Sequence, residues 1–331
     1  MLKEKIIIAE IGSTHDGSLK LAKKSIELAS KCGADAVKFQ MHIPEEETLR
    51  DAPSPKYFNK EPRFEYFKRT GFTIDQWKKL AVHCKKNKVE FMCSPFSSKA
   101  VDILEKLKVK RYKIPSGELT NLPMLEKIAK TNKKVLLSTG MSNWNEIKNA
   151  VSKFKKKNLV VLQCSSEYPC SLKNVGTNIF KQINQRIKCD FGYSDHTLGY
   201  SASFLAASLG AKIIEKHFTL SKKFYGSDAK FSMEPNEFKF FCKVIKEIWL
   251  IDNNPVNKDS IGKYSFMRKV FEKSIVAKKD LNKGHKIIFN DLAFLKPGDG
   301  LRSDNYKLII NLKTKKKIKK FEKIKLKDLR Q

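Results

Sequence analysis

Eight short apolar runs, rich in β-branched residues, punctuate the first two thirds of this chain at 6–11, 36–40, 89–94, 111–115, 134–138, 159–164, 189–193 and 212–217. Runs this short that stay apolar throughout read as strands covered on both faces. The stretches between them are amphipathic with a helical period, as at 19–32, 74–86, 98–107, 122–131, 144–154 and 201–209. Eight strand-and-helix units over residues 1–252 predict an α/β fold, a (β/α)8 TIM barrel.

The ends of the runs support that expectation. Each stops on groups that break its apolar pattern: Glu10; Lys38 and Gln40; Ser94; Lys113, Ser116 and Glu118; Ser138; Ser165, Ser166 and Tyr168; Ser194 and His196; Glu215 and His217. In a closed barrel these converge on the C-terminal mouth, where barrel enzymes carry their chemistry. A doubly wound open sheet would collect only a few of them at its switch point.

Beyond the eighth run, residues 253–268 are polar, carry Pro255 and Gly262 and lack apolar periodicity, so they read as a linker. Residues 269–331 read as a second, β-rich domain with an internal repeat. Leu281 to Leu292 matches Ile318 to Leu329 at a constant offset of 37 residues, Ile287 falling on Ile324 and Asp291 on Asp328. The tail from Asn311 holds ten Lys or Arg against two acids and could be a nucleic-acid arm, but its apolar residues match core positions of the first copy. Few aromatics interleave its lysines, so a folded module with a basic face is expected, and no nucleic-acid partner.

Charge and cysteine content narrow the class. Lys and Arg outnumber Asp and Glu 67 to 35, a formal charge of +32, which leaves a polyanion binder or a basic enzyme. The excess is spread along the whole chain, as at 106–110 and 153–157, in the manner of a biased composition. The seven cysteines are scattered with no CxxC pair, so a reducing cytoplasm is the simplest location, and Cys164 and Cys170 read as buried small hydrophobes. No run approaches a membrane span of roughly 18–20 apolar residues, and Met1 to Lys5 lead straight into a strand, which argues against a signal peptide and a membrane partner.

His196 and His217 are the candidate metal ligands. They end the seventh and eighth runs, and adjacent strands lie about 4.8 Å apart, so two imidazoles could share a divalent ion of the Mn, Co, Fe or Zn class. The alternative is a pair of hydrogen-bonded interior histidines. Lys38 and Lys113, with Ser116, Ser138 and Ser194 nearby, could wrap a phosphate or carboxylate. Such lysines could instead form Schiff bases or salt bridges. Glu10, Glu118 and Asp228 supply carboxylates for sugar hydroxyls, a metal's surroundings or proton transfer, or serve as structural partners of lysines. No GxGxxG, GxxxxGK[ST], GxSxG or HExxH occurs, so the usual nucleotide, serine-hydrolase and zincin signatures are missing.

The segments Ala9-Glu-Ile-Gly-Ser-Thr-His15-Asp-Gly17, Val37-Lys-Phe-Gln40, Ser94-Pro-Phe96, Tyr112-Lys-Ile-Pro-Ser-Gly-Glu118, Leu137-Ser-Thr-Gly-Met141, Gly192-Tyr-Ser-Asp-His-Thr197 and Glu215-Lys-His-Phe218, in this order, closely resemble the sialic acid synthase family. The resemblance continues through Gly226-Ser-Asp228 and Ser232-Met-Glu-Pro235 to Lys296-Pro-Gly-Asp-Gly300, which is similar to the PGxG stretch of the family's antifreeze-like (SAF) domain. It implies a barrel joined to a SAF domain, assembled as a domain-swapped homodimer in which each SAF domain caps the partner's barrel. It implies an N-acetylneuraminate synthase, a transferase that condenses phosphoenolpyruvate with the open-chain aldehyde of an N-acetylmannosamine-type sugar. Water adds, phosphate leaves, and a nine-carbon 2-keto sugar acid results. A divalent metal is implied as cofactor, Mn²⁺ first, with Mg²⁺ or Co²⁺ as alternatives.

Carried over by motif, Lys38, Ser94, Lys113, Ser116, Ser138 and Ser194 would bind phosphoenolpyruvate, with Gln40, Glu118 and Ser166 lining the site. Glu10, Tyr168 and Asp228 would face the sugar and its proton transfers, His196 and His217 would hold the metal, and Lys296 would reach the partner's site. Ser166 stands where family members often carry Asn, and Lys296 where some carry Arg; a lysine keeps the charge and loses the planar fork. A legionaminic or pseudaminic acid synthase would share nearly all these segments. The rival of another class is a polyanion-binding protein on a non-catalytic barrel.

Overall fold

A computed structural model of the chain describes residues 4–54, 61–260 and 262–331. The first three residues of the amino-terminal segment read against a signal peptide lie outside the described residues, as does Ile261 of the expected linker. Two compact units result, Met1–Asn254 and Pro255–Gln331.

In the first unit all eight apolar runs are strands: β1 (Ile6–Gly12), β2 (Ala36–Met41), β3 (Glu90–Pro95), β4 (Arg111–Ile114), β5 (Lys134–Ser138), β6 (Leu159–Gln163), β7 (Asp190–Asp195) and β8 (Ile213–His217). Every pairing in this sheet is parallel, in the order β3-β2-β1-β8-β7-β6-β5-β4. β4 lies against β3, which brings the sheet round on itself. The expected (β/α)8 barrel is the fold.

The helices begin where the sequence supplies caps. Ser18 accepts from the Leu21 amide ahead of Leu19–Lys31, and Ser97 accepts from Ala100 ahead of Ser98–Lys106. Thr73 with Gln76 and Asn143 with Glu146 form capping boxes for Ile74–Lys86 and Trp144–Ser152. Helices Arg63–Thr70, Asn178–Ile187 and Pro235–Asp252 add to those read from the sequence.

Side-chain alternation along the strands positions the site. Successive residues of a strand face opposite sides, so the interior of the barrel is read at every second position. Ile6, Ile8, Ala36, Met92, Leu136, Val160, Leu162 and Ile213 form a separate apolar cluster inside the barrel, while Ile7, Ala9, Val37, Leu137 and Val161 join the core beneath the helices. Two residues beyond the interior plug, the same parity reaches Glu10, Lys38, Ser94, Ser138, Cys164 and Glu215. The plug closes the barrel floor, and truncating one of its members, such as Leu136→Ala, is expected to cost about 2–5 kcal/mol. Gly192 sits between Leu162 and Ile213, where an added Cβ would come within 2.6 Å of the Ile213 carbonyl oxygen.

The second unit holds β9 (Ser274–Ala277) paired antiparallel with β10 (Leu292–Leu295), and β11 (Lys313–Thr314) paired with β12 (Leu329–Arg330). The 37-residue repeat is visible in the register: Ala277 faces Leu292 as Thr314 faces Leu329. The copies interlock through the Leu281–Ile318 bridge over one core that includes Ile275, Ile287, Ile318 and Ile324. Gly284 (φ 83°) and its counterpart Phe321 (φ 64°) both take the left-handed conformation, which glycine adopts freely and Phe only under constraint. The basic tail is therefore part of a folded module, as expected. Within the span read as a linker Gly262–Tyr264 forms a 3-10 turn, and the α-helix Ser265–Phe271 runs across its expected end at 268.

Candidate active site

A cavity of about 560 Å³ opens at the C-terminal ends of the strands. Thirteen of the residues singled out from sequence line it: Glu10, Lys38, Gln40, Lys113, Ser116, Glu118, Ser138, Ser166, Tyr168, Ser194, His196, His217 and Asp228. Ser94 stands behind the wall, its Oγ 3.2 Å from the Lys38 Nζ that donates to it. Lys296 belongs to the second unit, where its Nζ lies 5.0 Å from the centre of the Phe271 ring.

Charged side chains on the cavity floor are cross-linked. Lys38 Nζ lies 2.6 Å from Glu10 Oε2 and 3.8 Å from Glu215 Oε1. Glu215 Oε1 also accepts from Lys113 Nζ and from Ser194 Oγ, each at 2.9 Å. Gln40 donates its amide to Glu10 Oε1 at 2.8 Å. Register explains the grouping, since Glu10 is level with Lys38 on β2 and with His217 on β8. Burial would raise the Glu215 carboxyl, but Lys113 and Lys38 outweigh it and hold the group at about 2. At Glu10 burial prevails over Lys38 and the carboxyl is raised. Lys38 is raised as well: burial alone would lower it, and the two carboxylates overcome that. The floor thus holds two ammonium groups and two carboxyls, with Ser138 Oγ and Glu215 Oε2 buried beside them without hydrogen-bond partners among the described residues.

The two histidines lie on one wall, ring centres 5.4 Å apart. His196 Nδ1 is 2.8 Å from the Ser165 carbonyl oxygen, which can only accept, so Nδ1 carries hydrogen and Nε2 is directed at the Tyr168 hydroxyl at 3.1 Å. His217 Nδ1 is buried without a hydrogen-bond partner among the described residues, 3.9 Å from Asp228 Oδ2. Burial, then His196 and Lys38, keep the His217 ring neutral, well below the usual histidine range. Burial raises Asp228. Burial opposes charge on His196, but the Cys164 sulfur 3.7 Å from Nδ1 raises its value. Among the described residues no group of three His, Cys, Asp or Glu side chains is placed to hold an ion. The donor set fits an ion held by two imidazoles, one with an unsatisfied buried nitrogen, and completed by water and substrate.

Several lining residues were given no individual role from sequence. Cys164 and Cys170 are both buried, as expected, but Cys164 also lines the cavity, which the reading as a plain core filler did not foresee. Glu215 shares the inward face of β8 with His217 two positions on, a signal that strand alternation carries. His42, Arg63, Phe67 and Phe96 form another part of the wall and lie beyond the strand ends, where no period marks them. His42 is stacked between Phe67 and Phe96, with ring centres 3.6 and 4.0 Å away, and bridges Glu47 and Gln40.

The sequence matches the NeuB family over residues 25–256 and the SAF domain over residues 272–330. It is 39% identical to the N,N'-diacetyllegionaminic acid synthase of Campylobacter jejuni, across 92% of this chain and 94% of that protein. It is 33% identical to the pseudaminic acid synthase of Helicobacter pylori, across 96% of both. The N-acetylneuraminic acid (sialic acid) synthetase of Leptospira borgpetersenii, solved with citrate, superposes with a TM-score of 0.70 at 29% identity, covering 80% of this chain and 90% of that one. No helix among the described residues is long and apolar enough to cross a membrane. With a barrel matching the one model and a repeat module matching the other, the chain belongs to the NeuB family of sialic, legionaminic and pseudaminic acid synthases and carries a SAF domain.

Proposed function

We propose that this chain is a phosphoenolpyruvate-dependent transferase that joins phosphoenolpyruvate to the open-chain aldehyde of a 2-acetamido sugar, adds water, and releases phosphate and a nine-carbon 2-keto sugar acid. The observation that carries this reading is the arrangement of Lys38 and Lys113 around Glu215, with Ser116, Ser138 and Ser194 on the same cavity floor and two histidines on the adjoining wall. Two ammonium groups and three hydroxyls suit the carboxylate and phosphate of one small anion. Glu10, held by Gln40, and Asp228, kept toward its protonated form by burial, suit sugar hydroxyls and the protons that move as the bond forms. Tyr168 reaches the same wall through His196. A divalent ion at His196 and His217, Mn²⁺ with Mg²⁺ or Co²⁺ as alternatives, would supply Lewis-acid polarisation of the aldehyde oxygen. Holding both substrates in one cavity in reactive geometry supplies much of the remaining acceleration.

The sugar is a 2-acetamido hexose, and the 39% identity to a diacetyllegionaminic acid synthase favours a legionaminic-type sugar over N-acetylmannosamine itself. The same proposal includes a domain-swapped homodimer in the cytoplasm, with Lys296 serving the partner's site. The test is phosphate release by the purified full chain given phosphoenolpyruvate with each of a panel of 2-acetamido sugars. Release that needs both substrates is expected. Release from phosphoenolpyruvate alone, or none with any sugar, would overturn the assignment.

A further inference from the structure

Asp195 and Lys216 stand directly before the two histidines in the chain, and they are register partners on β7 and β8. Their side chains face away from the cavity, on the side where Tyr193 and Ile214 join the core beneath the helices. An ion pair stands there in place of an apolar contact. Lys216 Nζ lies 2.9 Å from Asp195 Oδ2, and the two residues are 2% and 1% exposed.

A buried ion pair is a poor source of stability, because taking both charges out of water costs about as much as their attraction returns. Its gain lies in what it holds. Lys216 Nζ donates to the Thr197 carbonyl oxygen at 2.6 Å, and Thr197 N donates to Asp195 Oδ1 at 2.7 Å. Thr197 follows His196 directly, so the pair grips both backbone polar groups of the residue after one histidine, while its lysine precedes the other. The His196 carbonyl oxygen in turn accepts from Cys170 N at 2.8 Å. Ser203 Oγ, on the helix Ser201–Ser208, donates to Asp195 Oδ2 and orients the carboxylate. The His196 and His217 rings line the cavity on the other side of the same two strand ends.

We propose that the Asp195–Lys216 pair is a positioning device that sets the separation and direction of the His196 and His217 imidazoles, and through them the affinity for a divalent ion. The inference rests on the ion site of the proposed function and adds to it the residues that tune that site from behind the strands. Groups that orient metal-binding side chains without touching the ion account for about 10- to 100-fold in affinity.

The experiment titrates Mn²⁺ into full-length wild type and the double variant Asp195→Leu, Lys216→Met, following free ion by electron paramagnetic resonance. Calorimetry measures phosphoenolpyruvate binding without the ion, and thermal melts report the fold. Replacing both residues keeps the side-chain bulk and leaves no unpaired buried charge, so the variant should melt close to the wild type. Its affinity for Mn²⁺ is expected to fall about 10- to 100-fold, with phosphoenolpyruvate binding little changed because Lys38 and Lys113 are untouched. Unchanged ion affinity, or equal losses for ion and phosphoenolpyruvate, would overturn the inference and leave the condensation standing. A wild type that binds no Mn²⁺ would overturn the ion site of the proposed function, and this inference with it. Should the double variant not fold, Ser203→Ala decides alone: weakened Mn²⁺ binding supports the proposal, and an unchanged value counts against it.

Discussion

Lys113 Nζ on β4 lies 2.9 Å from Glu215 Oε1 on β8, a bond across the barrel between strands four places apart in its ring. Substrate binding thus acts on a lysine whose charge is already balanced by a carboxylate from the opposite side. Lys113→Ala is expected to raise the KM for phosphoenolpyruvate about tenfold or more, and that for the sugar by less than about threefold, as for the loss of one charged hydrogen-bond donor. Initial-rate kinetics on both substrates check this, with circular dichroism as the control for folding. Equal effects on the two would reassign Lys113 to the scaffold.

His217→Ala should lower kcat at least about 100-fold without unfolding the barrel, because its imidazole ends a paired strand instead of filling the core. Wild-type protein stripped with EDTA should lose activity to a similar degree and regain it with Mn²⁺, while the variant should not. Full turnover after stripping would remove the ion from the mechanism.

A third expectation concerns acid stability. His15 stacks on Phe72 at 4.5 Å and accepts from the Gly17 amide at 3.1 Å, and burial lowers its pKa to about 3. A histidine depressed in the folded state stays neutral there while the unfolded chain binds a proton below pH 6.5. Its contribution is therefore complete above about pH 6.5 and is lost as pH falls toward 3. The slope it adds is at most about 1.4 kcal/mol per pH unit. His15→Phe, which keeps a stacking ring, should flatten the pH dependence of stability between 6 and 4 in denaturant titrations. An unaltered slope would mean His15 is not buried neutral.

The homodimer is tested by mixing. His217→Ala subunits and Lys296→Ala subunits, each inactive alone, should regain part of the wild-type rate when combined, because one site of a mixed dimer then holds both residues intact. Absence of recovery after confirmed subunit exchange would contradict domain swapping.

Much of this was legible in the sequence because strands buried on both faces can be nothing but apolar until they reach the mouth. That constraint exposed the eight strands, and the polar residues that break it were the floor of the site. Glu215 was read at the mouth without a role, and Cys164 escaped, because each lies inside or at the edge of an apolar run, where only the two-residue alternation, anchored on the inward face of Ile213 or Leu162, reveals its direction. Arg63, His42, Phe67 and Phe96 escaped for a different reason. They come from segments after β2 and β3 whose positions depend on tertiary packing, with no period to mark them. In the second unit the 37-residue repeat showed a fold where charge alone suggested a tail, since Ile318 and Ile324 had to be buried as Leu281 and Ile287 are.

The central claim is tested most directly by the mass of what the enzyme makes. Full-length protein with a divalent ion, phosphoenolpyruvate and a 2-acetamido sugar in ¹⁸O-water should yield phosphate free of ¹⁸O. The accompanying acid should have the mass of both substrates plus water less phosphoric acid, because water adds to carbon and the carbon–oxygen bond to phosphate breaks. Phosphate carrying ¹⁸O with pyruvate as the only carbon product would show a phosphatase acting on phosphoenolpyruvate and contradict the account.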